Sequence, residues 1–402
     1  MLTRLSDNFL GTPAGREAEA ILRACVHCGF CTAACPTYRL LGDERDGPRG
    51  RIYLIKSMLE GEPATERTRS HLDRCLSCRA CESACPSGVR YGRLADIARG
   101  IVDEQAPRPR LARVQRKLLR MILPYPARFA PWVGLARRLS PLLPPVLRNK
   151  LPLVSETRPW PPARHPRTML ALGGCVQPVL APSIDAAAAR VLDRLGISLI
   201  RISESGCCGA LSYHLGAHEE GLDFMRRNID AWWPAIEAGA EAVVITASGC
   251  GVMVKEYGEL LRHDPAYAEK AARVSALARD LSEVAAAEDW RSLAPLPARR
   301  IAFHSPCTLQ HGQGLNGRVE ELLQGLGFEL TPVADAAICC GSAGAYSLLQ
   351  PALSSRLRED KLRNLEAGEP DVIATANIGC LAHLASGTGR PVRHWVELLD
   401  RS

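Results

Sequence analysis

Residues 25–36 read CVHCGFCTAACP and residues 75–86 read CLSCRACESACP. Each stretch spells C-x2-C-x2-C-x3-C-P, and the second begins 50 residues after the first. Three thiolates at successive three-residue spacings can wrap three corners of an iron–sulfur cube, and the fourth cysteine, ahead of its proline, leads away to ligate the other cube. The spacing therefore predicts one [4Fe–4S] cluster on Cys25, Cys28, Cys31 and Cys85 and a second on Cys75, Cys78, Cys81 and Cys35. Four thiolates also suit tetrahedral zinc. Zinc ribbons, however, pair two cysteines with two distant ones instead of repeating a compact run of four closed by proline.

Between the motifs, Ile52, Ile55, Leu59 and Leu72 follow a turn at Gly47, Pro48 and Gly50, which predicts two helical stretches and a helical dicluster ferredoxin domain over 1–104. Arg49, Arg51 and His27 stand near the cysteines and are read as residues of a solvated face, with donation to cluster sulfur as the alternative.

The rest of the composition fits this reading. A chain of 402 residues allows two or three domains, and 47% hydrophobic with 23% charged residues excludes a disordered, collagenous or coiled-coil chain. Aromatic residues at 5% argue against a base-stacking nucleic-acid surface. The first twenty residues include Asp7 and Glu17 and lack an apolar stretch of signal-peptide length, so a reducing, cytoplasmic setting is expected. There, 16 cysteines suit metal better than disulfides.

The net charge of +7 comes from one segment. From Gln105 to Ser155 there is no Asp or Glu, yet Arg108, Arg110, Arg113, Arg116, Lys117, Arg120, Arg128, Arg137, Arg138, Arg148 and Lys150 alternate with apolar residues and Trp132. Residues 105–160 are read as a basic amphipathic segment that docks on an anionic membrane, on a partner subunit, or over its own domains. Nucleic acid is not expected.

The C-terminal half is duplicated. Cys175 and Cys207 are 32 residues apart, as are Cys307 and Cys339. Cys207-Cys208-Gly209 answers Cys339-Cys340-Gly341, and Cys250 and Cys380 close the two copies. Apolar runs ending at these cysteines (TMLALGGC, EAVVITASGC, RIAFHSPC, DVIATANIGC) read as strands, and the stretches 181–195, 222–238, 319–326 and 348–365 read as helices. The alternation predicts an α/β module with parallel strands over 161–295, repeated over 296–402, with cysteines at strand ends. For Cys175, Cys207, Cys208, Cys250, Cys307, Cys339, Cys340 and Cys380 three roles are open: a further iron–sulfur cluster, a redox-active thiol pair, or a lone metal such as zinc. His304 and His311 are read as hydrogen-bonded structural histidines, with ligation or proton donation as the alternative. There is no phosphate loop, nicotinamide fingerprint or nucleophile triad, so no catalytic residue is assigned.

Taken together, CVHCGFCTAACPTYRLLGDERDGPRGRIYLIK, the second motif, ASGCG and ANIGCLAH resemble the iron–sulfur subunits of bacterial glycolate oxidase over nearly the whole chain. The resemblance implies flavin-bearing partner subunits that oxidise glycolate to glyoxylate at FAD, an electron-transfer role for this chain toward quinone, and peripheral attachment to the cytoplasmic face of the inner membrane. The duplicated CysCysGly module is similar to heterodisulfide reductase, to the anaerobic glycerol-3-phosphate dehydrogenase iron–sulfur subunit and to lactate-utilisation proteins. In the heterodisulfide reductase family each copy has a fifth cysteine; here Ala247 and Asn377 stand at those positions. That departure argues against a heterodisulfide-type cluster.

Overall fold

Proline in the first turn or a side-chain cap starts several of the N-terminal helices, because proline lacks an N–H that would go unpaired there and a cap supplies an acceptor for one that would. In the computed structural model, which describes residues 1–140, 158–293 and 299–400, Thr12 caps α1 (Pro13–Ala24) by accepting from the Gly15 N–H at 3.0 Å. Pro48 opens α2 (Pro48–Leu59), and Thr65 and Thr68 form a capping box for α3 (Glu66–Asp73). With α4 (Tyr91–Gln105) these helices bury Leu22, Ile55, Leu59, Leu72, Leu94 and Ala98 in one core. Its apolar spacing is the one the sequence predicts for residues 52–72.

Beyond this core run α5 (Arg110–Ile122) and α6 (Pro126–Arg138). No residue of α5 is buried, and its Leu111, Val114, Leu118 and Met121 lie exposed at helical spacing. Part of the basic charge is spent internally. Arg108 pairs with Asp73 and Asp103, Arg116 with Asp73, and Arg120 with Glu220. The Tyr125 ring packs at a tilt against Phe224, centroids 5.6 Å apart, tying the segment to the domain that follows. Arg148, Lys150 and the boundary drawn at 295/296 lie outside the described residues.

Each C-terminal module is a four-stranded parallel sheet flanked by helices. The first has the order β2-β1-β3-β4, from β1 (Arg167–Ala171), β2 (Ile197–Arg201), β3 (Val243–Ile245) and β4 (Ala278–Asp280). The second has the order β6-β5-β7-β8, from β5 (Arg300–His304), β6 (Glu329–Leu330), β7 (Val372–Thr375) and β8 (Val392–His394). The central strand of each sheet, β1 or β5, pairs on one side with the next strand in sequence and on the other with the one after. The chain thus reverses its winding there, at the point where open α/β sheets present loops to a ligand. Helices α7 (Ser183–Arg194), α8 (His218–Glu237) and α9 (Ser248–Lys255) serve the first sheet; α10 (Arg318–Gly325), α11 (Pro351–Glu366) and α12 (Ile378–Ala385) serve the second.

The two modules share one hydrophobic core. Ile184, Leu192, Ile197 and Val284 of the first pack in the same cluster as Ile301, Phe303, Leu322 and Trp395 of the second. Polar contacts close the seam: Ser248 Oγ and Thr308 Oγ1 are 2.7 Å apart, His394 Nε2 donates to Thr246 O at 2.9 Å, and Asn377 Oδ1 accepts from the Gly249 N–H. The ferredoxin helices rest on both modules through Arg93–Glu17–Arg262, His214–Asp96, Arg79–Glu256 and Arg39–Asp335.

Candidate metal centres

The two C-x2-C loops adopt the same unusual backbone. His27 and Gly29 in the first, and Ser77 and Arg79 in the second, have positive φ at equal offsets from the leading cysteine. Left-handed residues alternating with right-handed ones turn successive N–H groups toward one side, a concavity suited to anions. A non-glycine residue in that region costs roughly 1–2 kcal/mol, so three such residues at equivalent places need a shared cause. Sulfur and negative charge held inside the loops provide one.

The hollow beneath the first loop, of about 420 Å³ with its open mouth, is lined by Cys25, Cys28, Cys31 and Cys85 with Arg49 and Ile52. The hollow beneath the second, of about 360 Å³, is lined by Cys35, Cys75, Cys78 and Cys81 with Arg51 and Thr37. The fourth cysteine of each motif therefore lines the other motif's hollow, and Pro48, Cys81 and Tyr91 border both. Four thiols, inward N–H groups and room for more than one atom fit a [4Fe–4S] cluster in each.

The second hollow is the more cationic. Arg51 is 1% exposed; it donates from Nε to His71 O and from Nη2 to Thr37 Oγ1, and Nη1 lies 4.0 Å from Cys35 Sγ. This overturns the expectation of a solvated face for Arg51. Burial alone would raise the Cys75 thiol, yet the Arg51 and Arg99 charges bring it below the ordinary range. Arg99 also donates to Ser77 Oγ and Cys75 O. At the first hollow Arg49 is half-exposed and pairs with Glu44, and His27 Nε2 lies 3.0 Å from the Met1 sulfur.

In the duplicated modules the glycine of each CysCysGly run has φ near 90°. A Cβ there would stand 2.6 Å from Gly221 O at Gly209, and 2.7 Å from Ser354 O at Gly341. Only glycine lets the cysteine pair lie this close to the following helix. The pair enters after β2 or β6, and the first cysteine of each module follows β1 or β5. Cys250 and Cys380 sit in the first turns of α9 and α12, a little beyond the strand ends where the sequence placed them.

In the first module Cys207 touches both Cys175 and Cys208, and these contacts hold the Cys207 thiol low while raising its neighbours. Asn228 and Tyr257, both fully buried, fix the pair by donating to Cys207 O and Cys208 O. In the second module Cys307 Sγ lies 3.9 Å from Cys339 Sγ, and Asn377 Nδ2 donates to Cys380 Sγ at 3.5 Å. The residue in place of a fifth cysteine thus holds the fourth. Leu76 and Cys78 pack in one cluster with Cys307, Cys339 and Tyr346, so the second ferredoxin hollow abuts the second module.

The two histidines part company. His311 accepts from Ser83 Oγ at Nδ1 and donates to Ala337 O at Nε2, as a structural histidine should. His304, 2% exposed, has no hydrogen-bond partner at either ring nitrogen, against the expectation of a hydrogen-bonded side chain. Nothing in the sequence around it signals that difference.

Residues 21–89 match the family described as a 4Fe-4S dicluster domain, and residues 170–255 and 301–385 each match the family described as a cysteine-rich domain. The glycolate oxidase iron-sulfur subunit of Escherichia coli (strain K12) is 55% identical, with 100% of this chain and 99% of that one aligned. The probable glycolate oxidase iron-sulfur subunit of Bacillus subtilis (strain 168) is 31% identical over 93% and 91% of the two chains. Lactate utilization protein A of Geobacillus thermodenitrificans (strain NG80-2) is 28% identical over 56% of this chain. With crossed four-cysteine hollows ahead of two cysteine-rich modules, and full-length identity of this order, the chain belongs to the family of glycolate oxidase iron-sulfur subunits.

Proposed function

We propose that this chain is the electron-carrying subunit of a flavin-dependent glycolate dehydrogenase, taking electrons from FAD on a partner subunit and delivering them toward quinone. The observation that carries the reading is the pair of four-cysteine hollows sharing a wall at Pro48, Cys81 and Tyr91. A [4Fe–4S] cluster supplies one-electron storage at a potential set by burial, charge and hydrogen bonds to sulfur. Cys25, Cys28, Cys31 and Cys85 would hold the first, and Cys75, Cys78, Cys81 and Cys35 the second. Arg51 and Arg99 stabilise thiolate charge at the second site, while backbone donors such as the Ser77 N–H, 3.4 Å from Cys75 Sγ, supply hydrogen bonds. Glycolate chemistry falls to the flavin of the partner in this reading, and no residue among the described ones is assigned to it. The 55% identity to a chain named for glycolate oxidation favours glycolate over lactate or glycerol 3-phosphate.

The exposed stripe Leu111, Val114, Leu118 and Met121, interleaved with Arg110, Arg113 and Lys117, supports docking of α5 on an anionic membrane, where a quinone acceptor resides. No helix of the described residues is long and apolar enough to cross a membrane. The test is the complex with its flavin subunits, purified anaerobically and offered glycolate, lactate or glycerol 3-phosphate. Glycolate should bleach the flavin and then the iron–sulfur absorbance, and the complex should float with phosphatidylglycerol vesicles but not with phosphatidylcholine ones. Reduction by glycerol 3-phosphate alone, or a colourless zinc protein, would sink the reading.

A further inference from the structure

Among the described residues outside the ferredoxin hollows, one close group that joins an imidazole to cysteine thiols is not tied up by ion pairs. His304, Cys340 and Cys380 bring one donor atom each within 4.8 Å of one another, and all three are buried. The other close triad, Asp43, Asp46 and His71, is tied up: Asp46 faces Arg51, Arg74 and His71. No such pairing exists at His304. Both its ring nitrogens lack partners, as do Ser305 Oγ beside it and Thr375 Oγ1, the residue opposite it in the β5–β7 ladder. Buried polar atoms in native proteins are rarely left unpaired, so several at one strand end call for a missing partner.

The first module has no such need. The residue three before Cys175 is Leu172, where His304 precedes Cys307 by three, and the residue five before Cys250 is Ile245, where Thr375 precedes Cys380 by five. The duplication has therefore exchanged an apolar pair for an imidazole and a hydroxyl beside otherwise equivalent cysteines.

We propose that the second cysteine-rich module holds a metal ion on a mixed donor set, His304, Cys340 and Cys380, which the first module does not share. Thiolate and imidazole together suit zinc or ferrous iron, whose bonds of about 2.0–2.3 Å lie within reach of donors this close. Cys339, next in the chain to Cys340 and in side-chain contact with it, is a further thiol beside the site. Cys78 of the second ferredoxin hollow packs with Cys307 and Cys339 of this module, and the site goes beyond the electron-carrying reading without depending on it.

The test is metal and sulfide analysis of the full chain purified anaerobically, with metal K-edge X-ray absorption, on the wild type, His304→Leu and His304→Cys. Leucine is the residue that the first module carries at this offset. The wild type should hold about one metal ion beyond the roughly eight irons of two cubanes, with nitrogen as well as sulfur around it. His304→Leu should lose at least nine-tenths of that extra ion while keeping the reduced-cluster EPR signals, and His304→Cys should regain it. A wild type with eight irons and no other metal overturns the proposal, as does a His304→Leu protein that keeps the extra ion. A wild type lacking the eight irons but keeping the extra ion would instead overturn the electron-carrying role and leave this site standing. Should His304→Leu not fold, the absorption edge of the wild type still decides, because a shell of sulfur alone excludes His304.

Discussion

Leu172 and Ile245 in the first cysteine-rich module stand at the offsets of His304 and Thr375 in the second, while the cysteines and the CysCysGly glycine are the same in both. The ferredoxin motifs, also duplicated, differ in another way. Their loops repeat the same pattern of left-handed residues, but Arg49 at the first hollow is half-exposed beside Glu44, whereas Arg51 at the second is buried. Duplication kept what the backbone requires and let the surrounding charge and donor set diverge. In the α/β modules the exchange falls at buried strand ends, where an imidazole and a hydroxyl replace apolar side chains and need polar partners of their own. In the ferredoxin helices, the cysteine of one motif must reach the other motif's hollow, so neither half can drift far.

The largest effect should come from breaking the crossing. Cys85→Ser should remove about four irons and the EPR signal of the site at Cys25, Cys28 and Cys31, leaving the site at Cys75 intact. Cys35→Ser should do the reverse. If each substitution instead emptied the site of its own motif, the crossed arrangement would be wrong.

Next in size is the contrast between the two arginines. Arg51→Leu strips a partner from Asp46, His71 O and Thr37 inside the core, and removing one side of a buried ion pair costs about 3–5 kcal/mol. Arg49→Leu touches a half-exposed pair and should cost under about 1 kcal/mol. Urea unfolding of the two variants under anaerobic conditions would measure both, and equal losses would erase the distinction between the hollows.

The smallest effect separates the cysteine-rich modules by pH. Burial raises Asp185, in the first, to about 6, against hydrogen bonds from Thr246 and Gln177. A raised carboxyl contributes stability present below its ordinary value of 3.8 and lost as pH climbs through about 6. Burial lowers His394, on β8 of the second, to about 4, so its contribution is present above 6.5 and lost as pH falls toward 4. Either gap is worth roughly 3 kcal/mol. Asp185→Asn should therefore gain stability relative to wild type at pH 8, and His394→Gln at pH 4.5. Thermal melts at the two pH values that moved both variants the same way would refute the opposed signs.

The motif spacing and the cysteine repeat were enough to read the ferredoxin hollows and the α/β class, because thiolate spacing and strand-ending apolar runs are local properties. TMLALGGC, EAVVITASGC, RIAFHSPC and DVIATANIGC each contain a strand of the structure. The outer strands β2, β4, β6 and β8 escaped notice. They run from two to five residues, and pairing with an inner strand, rather than their own composition, makes them strands.

Sequence alone determined which cysteines belong together along the chain, that the C-terminal half is a repeat, and that a glycine follows each cysteine pair. Tertiary structure alone decided that the two modules share one core, that Arg51 lies buried beside Cys35 and Arg74 pairs with the same Asp46, and that His304 has no protein hydrogen-bond partner in reach while His311 has two. The reason is physical. Thiol spacing is set by bond geometry within a dozen residues, whereas burial and hydrogen-bond satisfaction depend on what distant segments bring to the same place.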